Sequence, residues 1–166
     1  MTLCPSIVRF ACAALAVACL GAAAAPAAAS LRVEFIAPER YTDAHLHHFQ
    51  GNDQRVLEIL EQHLQAWASR CLPATAELHI RIFDIDLAGR KDWPGIHHPR
   101  IMREITWPGI SLAYRLDRSN GKVLEARQRV TDMNYLANSA YLRSDSMPLP
   151  YERLMLDNWF EQTFCR

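Results

Sequence analysis

The stretch ELHIRIFDIDLAG, residues 77–89, decides how this chain folds. Glu77 to Leu87 reads as a strand, and from Glu77 to Ile82 polar and apolar side chains alternate, the period-two signature of a half-buried strand. Leu78, Ile80 and Ile82 fall on one side. Carried forward unbroken, the alternation places Asp84 and Asp86 on that same side, because residues two apart share a face. Two carboxylates at the end of an apolar face cost free energy unless something pairs with them. The end of this strand is therefore the first place to look for a site.

The elements around it follow from pattern. Leu31 to Ile36 alternates as a strand, and Pro38 ends it. Val56, Leu57, Leu60, Leu64, Trp67 and Ala68 recur at helical spacing and predict a helix from about Asp53 to Arg70, capped by Asn52 or Asp53. Beyond the central strand, Arg90 to Pro99 is a loop punctuated by Pro94, Gly95 and Pro99. Arg100 to Trp107 reads as a further strand, with Trp107 packing at the corner before Pro108. Ile110, Leu112, Tyr114 and Leu116 alternate as the next. Asn120-Gly121 is a hairpin signal. Val123 to Thr131 returns as its partner, with Leu124, Ala126 and Val130 inward. Asp132 to Tyr141 is a short helix or irregular. A last helix runs from Tyr151 to Phe164, with Tyr151, Met155, Trp159 and Phe160 on its apolar face. The order β-α-β-β-β-β-α predicts an α+β domain, residues 30–166, with two helices packed on a mainly antiparallel sheet of about five strands. Its first β-α-β unit is expected to be a parallel, right-handed crossover.

Met1 to Ala29 has the composition of a cleavable export signal. Arg9 precedes an apolar run from Phe10 to Leu20, and small residues follow from Ala22 to Ala29. The run falls short of the roughly 20 apolar residues of a spanning helix. The expected location is periplasmic or secreted, with no transmembrane segment after processing. Cys19, within Ala16-Val17-Ala18-Cys19, allows an alternative, a lipoprotein anchored to the membrane through its acyl chains. The chain balances 18 basic against 18 acidic residues. That balance leaves no global field to attract nucleic acid. Outside the leader only Cys71 and Cys165 remain. Two cysteines in an oxidising compartment suggest a disulfide between two helix ends; two separate thiols are the other reading.

Three explanations of Asp84 and Asp86 are open: solvent at a strand end, pairing with arginines such as Arg81, Arg90, Arg100 and Arg103, or a divalent cation held by oxygen ligands. Asp43 and the histidines His45, His47, His48, His97 and His98 extend the third into a metal site of Asp43, Asp84 and Asp86 with nearby imidazoles. Their spacing matches no recognised metal motif, so exposed loop histidines are the simpler reading. His63 and His79 read as face residues with no special task. No serine lies in a nucleophile elbow. Trp93, in a loop with Lys91 and Asp92 and near Arg90 and Arg100, is the aromatic placed to stack on a ligand or partner.

The chain resembles a group of uncharacterised bacterial exported proteins, catalogued as a domain of unknown function. The resemblance rests on Pro38-Glu39-x-Tyr41-Thr42-Asp43, on Asp84 to Gly89, and on Trp107-Pro108 followed by Ile110-x-Leu112-x-Tyr114. It rests also on Asp132-Met133-Asn134-Tyr135 and on Tyr151-Glu152 before Trp159-Phe160. It covers nearly all of the chain after the leader and implies a single exported bacterial domain with no assigned activity. The histidines lie outside its pattern.

The leading expectation is a non-enzymatic envelope domain that binds a partner protein or small ligand at Asp84, Asp86, Arg90, Trp93 and Arg100, with no cofactor. One alternative is a metal-dependent hydrolase using Asp43, Asp84, Asp86 and a divalent cation. Another is a structural envelope protein with a buried Asp–Arg network.

Overall fold

The computed structural model describes residues 29–46, 53–91, 100–137 and 147–165. They form a four-stranded mixed sheet in the order β1-β2-β3-β4 with two helices. The strands are β1 (Ser30–Phe35), β2 (Glu77–Asp86), β3 (Gly109–Asp117) and β4 (Val123–Thr131). The helices are α1 (Gln54–Cys71) and α2 (Pro150–Phe164). β1 and β2 run parallel, as the β-α-β reading expects, and β2-β3-β4 is an antiparallel meander. The class is α+β, but the expected fifth strand does not form. Among residues 100–107 a single bridge, Arg90 to Ile101, is all the pairing present. The reason is local: Thr106 turns the chain back, its N–H and hydroxyl both bonded to the Arg103 carbonyl at 2.9 and 3.0 Å. Trp107 lies exposed beside it rather than packing at the corner.

Each element matches its sequence cause. Asp53 caps α1, its carboxylate accepting from Arg55 N–H at 3.1 Å, which satisfies one orphan donor of the first turn. Val56, Leu57, Leu60, Leu64 and Ala68 are buried along one stripe. α2 starts at Pro150, whose ring suits the first helical position. It buries Glu152, Met155, Leu156, Trp159, Phe160 and Phe164. Both helices feed one core with the inner face of the sheet, where Leu78, Ile80, Ile82 and Ile85 stand opposite Leu116, Tyr114, Leu112 and Ile110. Trp159, Phe160, Phe164 and Tyr114 pack there as tilted and edge-on rings 4.7–5.9 Å apart.

That list of opposing pairs contains the decisive irregularity. Between Ile82 and Asp84 the register shifts, so Phe83 is an extra residue with no partner on β3. Such a bulge reverses which residues face inward. Ile85 and Leu87 take the core side, buried to 0% and 1% exposure. Asp84 and Asp86 turn to the outer face of the sheet. The uninterrupted alternation read from sequence, which joined them to Leu78, Ile80 and Ile82, is corrected by this one residue.

β4 departs from its sequence reading as well. Val130 is buried, but Leu124 and Ala126 are exposed. α2 covers only the Val130 end of the strand.

The helices are tied to each other twice. Cys71 at the end of α1 forms a disulfide with Cys165 just after α2, their Cα atoms 4.9 Å apart. Further along, the Asp157 carboxylate takes the Trp67 indole N–H and lies 2.5 Å from His63 Nε2. His63 is thus an inter-helix contact, not an idle face residue. The disulfide joins residues 94 apart in sequence, for which the chain-entropy argument gives a stabilisation of about 4.7 kcal/mol. Urea unfolding with and without reductant is expected to show a loss of that size. An unchanged midpoint would contradict the staple.

Candidate functional site

The site is assembled where β1 gives way. After Phe35 the chain leaves the sheet through a 3-10 turn at Pro38–Arg40 and returns at Asp43 to pair with β2 beyond the bulge. Asp43 N–H donates to the Ile85 carbonyl at 2.8 Å, and Leu87 N–H donates to the Asp43 carbonyl at 3.0 Å. The Tyr41 hydroxyl caps the Ile82 carbonyl at 2.9 Å beside the bulge. Burial, then the charges of Asp84 and Glu39, pushes that phenol up to about 12. Asp43 and Asp86 thereby become neighbours across a parallel bridge.

Three arginines answer the three carboxylates. Arg100 reaches Asp43 with both terminal nitrogens, at 2.6 and 3.3 Å. Its remaining donors go to the carbonyls of His45, Leu87, Ala88 and Gly89 at 2.8–3.2 Å. Arg90 grips Asp86 with two bonds, at 2.8 and 3.3 Å, and lies 4.0 Å from Asp43. That bond to Asp86 raises the Arg90 guanidinium above its ordinary value. Arg129, on β4, bridges Asp84 at 3.1 Å and Asp86 at 3.3 Å. Thr42 closes the series, donating its N–H and hydroxyl to Asp84 at 2.8 and 3.1 Å. The result is an alternating ladder, Arg100–Asp43–Arg90–Asp86–Arg129–Asp84.

Two glycines make room for it. A Cβ on Gly109 would lie 2.7 Å from Arg129 Cζ, so the bare backbone lets the guanidinium cross β3 to β2. Gly89 has φ +75°, and a Cβ there would lie 2.6 Å from Met102 Sδ and 2.9 Å from the Ile101 carbonyl. Only glycine fits both that conformation and that approach.

Beneath the ladder lies Glu152, which the sequence reading named only within a motif. It is 3% exposed at the start of α2, and Oε1 accepts from Ala88 N–H at 2.7 Å. Burial pushes its carboxyl above the ordinary value, opposed by that bond and by the charge of Arg100. It borders a cavity of about 110 Å³ with Leu46, Leu87, Arg100, Met102 and Tyr151. Tyr151 stacks edge-on against Tyr135 at 4.9 Å, and the Tyr135 hydroxyl donates to the Arg103 carbonyl at 2.7 Å. Residues from the distant segments 38–43, 84–89, 132–135 and 151–152 therefore converge on one end of the sheet.

Of the expected site residues, Asp43, Asp84, Asp86, Arg90 and Arg100 come together. His45 joins them, its Nδ1 3.4 Å from Asp43. Trp93 and the histidines His47, His48, His97 and His98 lie outside the described residues, as does Cys19. Arg129, Thr42 and Glu152 were missed as site residues. Glu152 had a signal: it falls on the stripe of Met155, Leu156, Trp159 and Phe160 at i+3, i+4, i+7 and i+8. Among the described residues no group of three or more His, Cys, Asp or Glu side chains is arranged to hold a metal ion. Nor is any helix among them long and apolar enough to cross a membrane.

Fold and site together define a small α+β domain: two disulfide-linked helices on a mixed sheet, closed at one end by an Asp–Arg ladder. The chain belongs to the family described as Protein of unknown function (DUF3016), whose model matches residues 29–162. No curated protein matches, and no solved structure matches.

The ladder is buried at one end and open at the other. Arg100 and Asp43 are 12% and 18% exposed, Arg129 and Asp84 41% and 23%. Breaking the buried pair leaves a charge uncompensated, so Arg100→Ala is expected to cost about 3 kcal/mol. Asp84→Asn, at the open end, is expected to cost less than about 1 kcal/mol. Chemical denaturation of the two variants compares them; equal losses would contradict the graded ladder.

Glu152 carries a pH signature. The folded state holds its proton more tightly than the unfolded chain. Its contribution is therefore fully present in acid, below the ordinary carboxyl value, and is lost as pH rises through the raised one. Glu152→Gln keeps an oxygen for Ala88 N–H and removes the ionisation. The variant's melting temperature is expected to gain on that of the native chain as pH rises from about 4 to about 7. Parallel profiles would contradict the assignment.

Proposed function

We propose that this chain is an exported, non-catalytic domain of the bacterial envelope that binds an anionic partner or ligand at the open end of its Asp–Arg ladder. One observation carries the reading. Three carboxylates and three guanidiniums neutralise one another, yet Arg90 and Arg129 remain 40% and 41% open to solvent. A general base or a cation ligand needs a carboxylate free to act, and here each one is engaged by guanidinium donors. Two guanidiniums already fixed in place can instead meet a carboxylate or phosphate group at little further ordering cost.

The export part of the proposal rests on the leader-like segment 1–29 and is supported by the Cys71–Cys165 bond, which suits an oxidising compartment. Free diffusion after processing is the form proposed. Retention through an acylated Cys19 would place the same surface at a membrane.

Thermal-shift measurements against peptidoglycan fragments, anionic glycans and divalent cations test the proposal. An anionic fragment is expected to raise the melting temperature, and Arg129→Ala to abolish that rise while the variant itself melts close to the native chain. Stoichiometric divalent metal in untagged protein, lost on Asp84→Asn, would overturn it in favour of a metal-dependent hydrolase using Asp43, Asp84 and Asp86.

A further inference from the structure

The pattern of β4 and its surroundings disagree. Leu124, Ala126 and Val130 alternate with Glu125, Arg127 and Arg129, the sequence of a strand covered on one face. Only Val130 is covered: every residue from Val123 to Arg129 is exposed, Val123 by 47% and Leu124 by 38%. The strand is also an edge. Among the described residues it pairs with β3 alone, in unbroken register over nine residues. Alternate backbone N–H and C=O groups along its other side thus lack a strand partner. Natural edges are blunted by lysine, proline, a bulge or brevity. β4 has no lysine, proline or bulge and runs nine residues, and its charges, Glu125, Arg127 and Arg129, are of both signs and so can be met by a complementary strand, whereas the opposite edge, β1, is six residues long and gives way at once to a turn containing Pro38.

We infer that β4 pairs with β4 of a second copy of this chain, antiparallel about a two-fold axis at Ala126, joining the two sheets into one. The charges of the strand select that register. Centred on Ala126, Glu125 of each copy stands opposite Arg127 of the other, giving two opposite-charge cross-strand pairs on the outer face. On the helix side Ala126 meets Ala126, and Leu124 meets Gln128. Centring on Glu125 or on Arg127 sets a like pair at the axis, which is destabilising, and the two Glu125–Arg129 pairs that centring on Arg127 would add draw on a guanidinium already bound to Asp84 and Asp86. A slip of half this step turns the helix-covered faces of the copies to opposite sides. Glu125 is available for the exchange, since its contact with Arg115 at 3.3 Å is exposed on both partners. Arg127 is available too: it lies over the Phe83 ring at 4.4 Å, on the solvent-facing side of the sheet. The interface is self-complementary, as a closed two-fold contact requires. It also supplies the neighbour that the apolar residues Leu124 and Ala126 lack in the single chain.

Sedimentation or light scattering on protein purified from cells expressing the full chain provides the test. The mass is expected to double across the micromolar range. Glu125→Arg sets two like-charge pairs across the interface and is expected to weaken association roughly tenfold or more. Adding Arg127→Glu to the same chain re-forms both pairs with signs exchanged and is expected to restore the dimer. Equal melting temperatures of the variants at low concentration show that the fold itself is intact. A native chain that stays single across that range would overturn the inference. So would a dimer indifferent to Glu125→Arg, or a double variant as dissociated as the single one.

Discussion

The Arg100 side chain holds this end of the molecule together. One planar guanidinium, 12% exposed, binds the Asp43 carboxylate and donates to the carbonyls of His45, Leu87, Ala88 and Gly89. Those carbonyls belong to segments that no continuous ladder of strand hydrogen bonds unites: the return of the chain after β1 and the exit of the chain from β2. Arginine suits the task because its donors form a rigid fork with fixed directions, which lysine lacks. Glu152 lies on the other side of the same exit, so the start of α2 is set by the backbone that Arg100 positions.

The bulge at Phe83 explains why the ladder exists at all. Without it Asp84 and Asp86 would project into the helices, where a carboxylate costs several kcal/mol unless compensated. With it they turn outward and meet Arg129, for which Gly109 leaves a path. A bulge, a missing side chain and a long arginine thus combine across three strands. The Tyr41 hydroxyl serves the same junction as a second donor to the Ile82 carbonyl, which also takes Ile36 N–H at 2.9 Å.

Much of this was legible from residues alone. The stripes of α1 and α2 declare themselves through spacing. The Asn120-Gly121 hairpin follows from short-range chemistry, the parallel β1–β2 unit from the β-α-β order of the elements, and Cys71 and Cys165 do pair. The Asp84/Asp86 pair stands out in the sequence, but its face was misread, because Phe83, a second apolar residue directly after Ile82, is the extra residue that reverses the period-two pattern. The fifth strand failed for a related reason: Arg100 to Trp107 has strand-like residues, but Thr106 turns the segment back on Arg103. Arg129 was out of reach, since its link to Asp84 spans 45 residues and depends on strand register. Leu124 and Ala126 are the reverse case, a pattern that promises burial which the single chain does not provide.

Amide hydrogen exchange in Arg100→Ala addresses the clasp most directly. The amides of Asp43, Leu87, Gly89 and Ile101, which carry the bonds around the guanidinium, are expected to lose protection. Those of the β3–β4 hairpin are expected to keep theirs, since local opening need not follow global unfolding. Unchanged protection at those four amides, or a uniform loss over the whole sheet, would contradict the account.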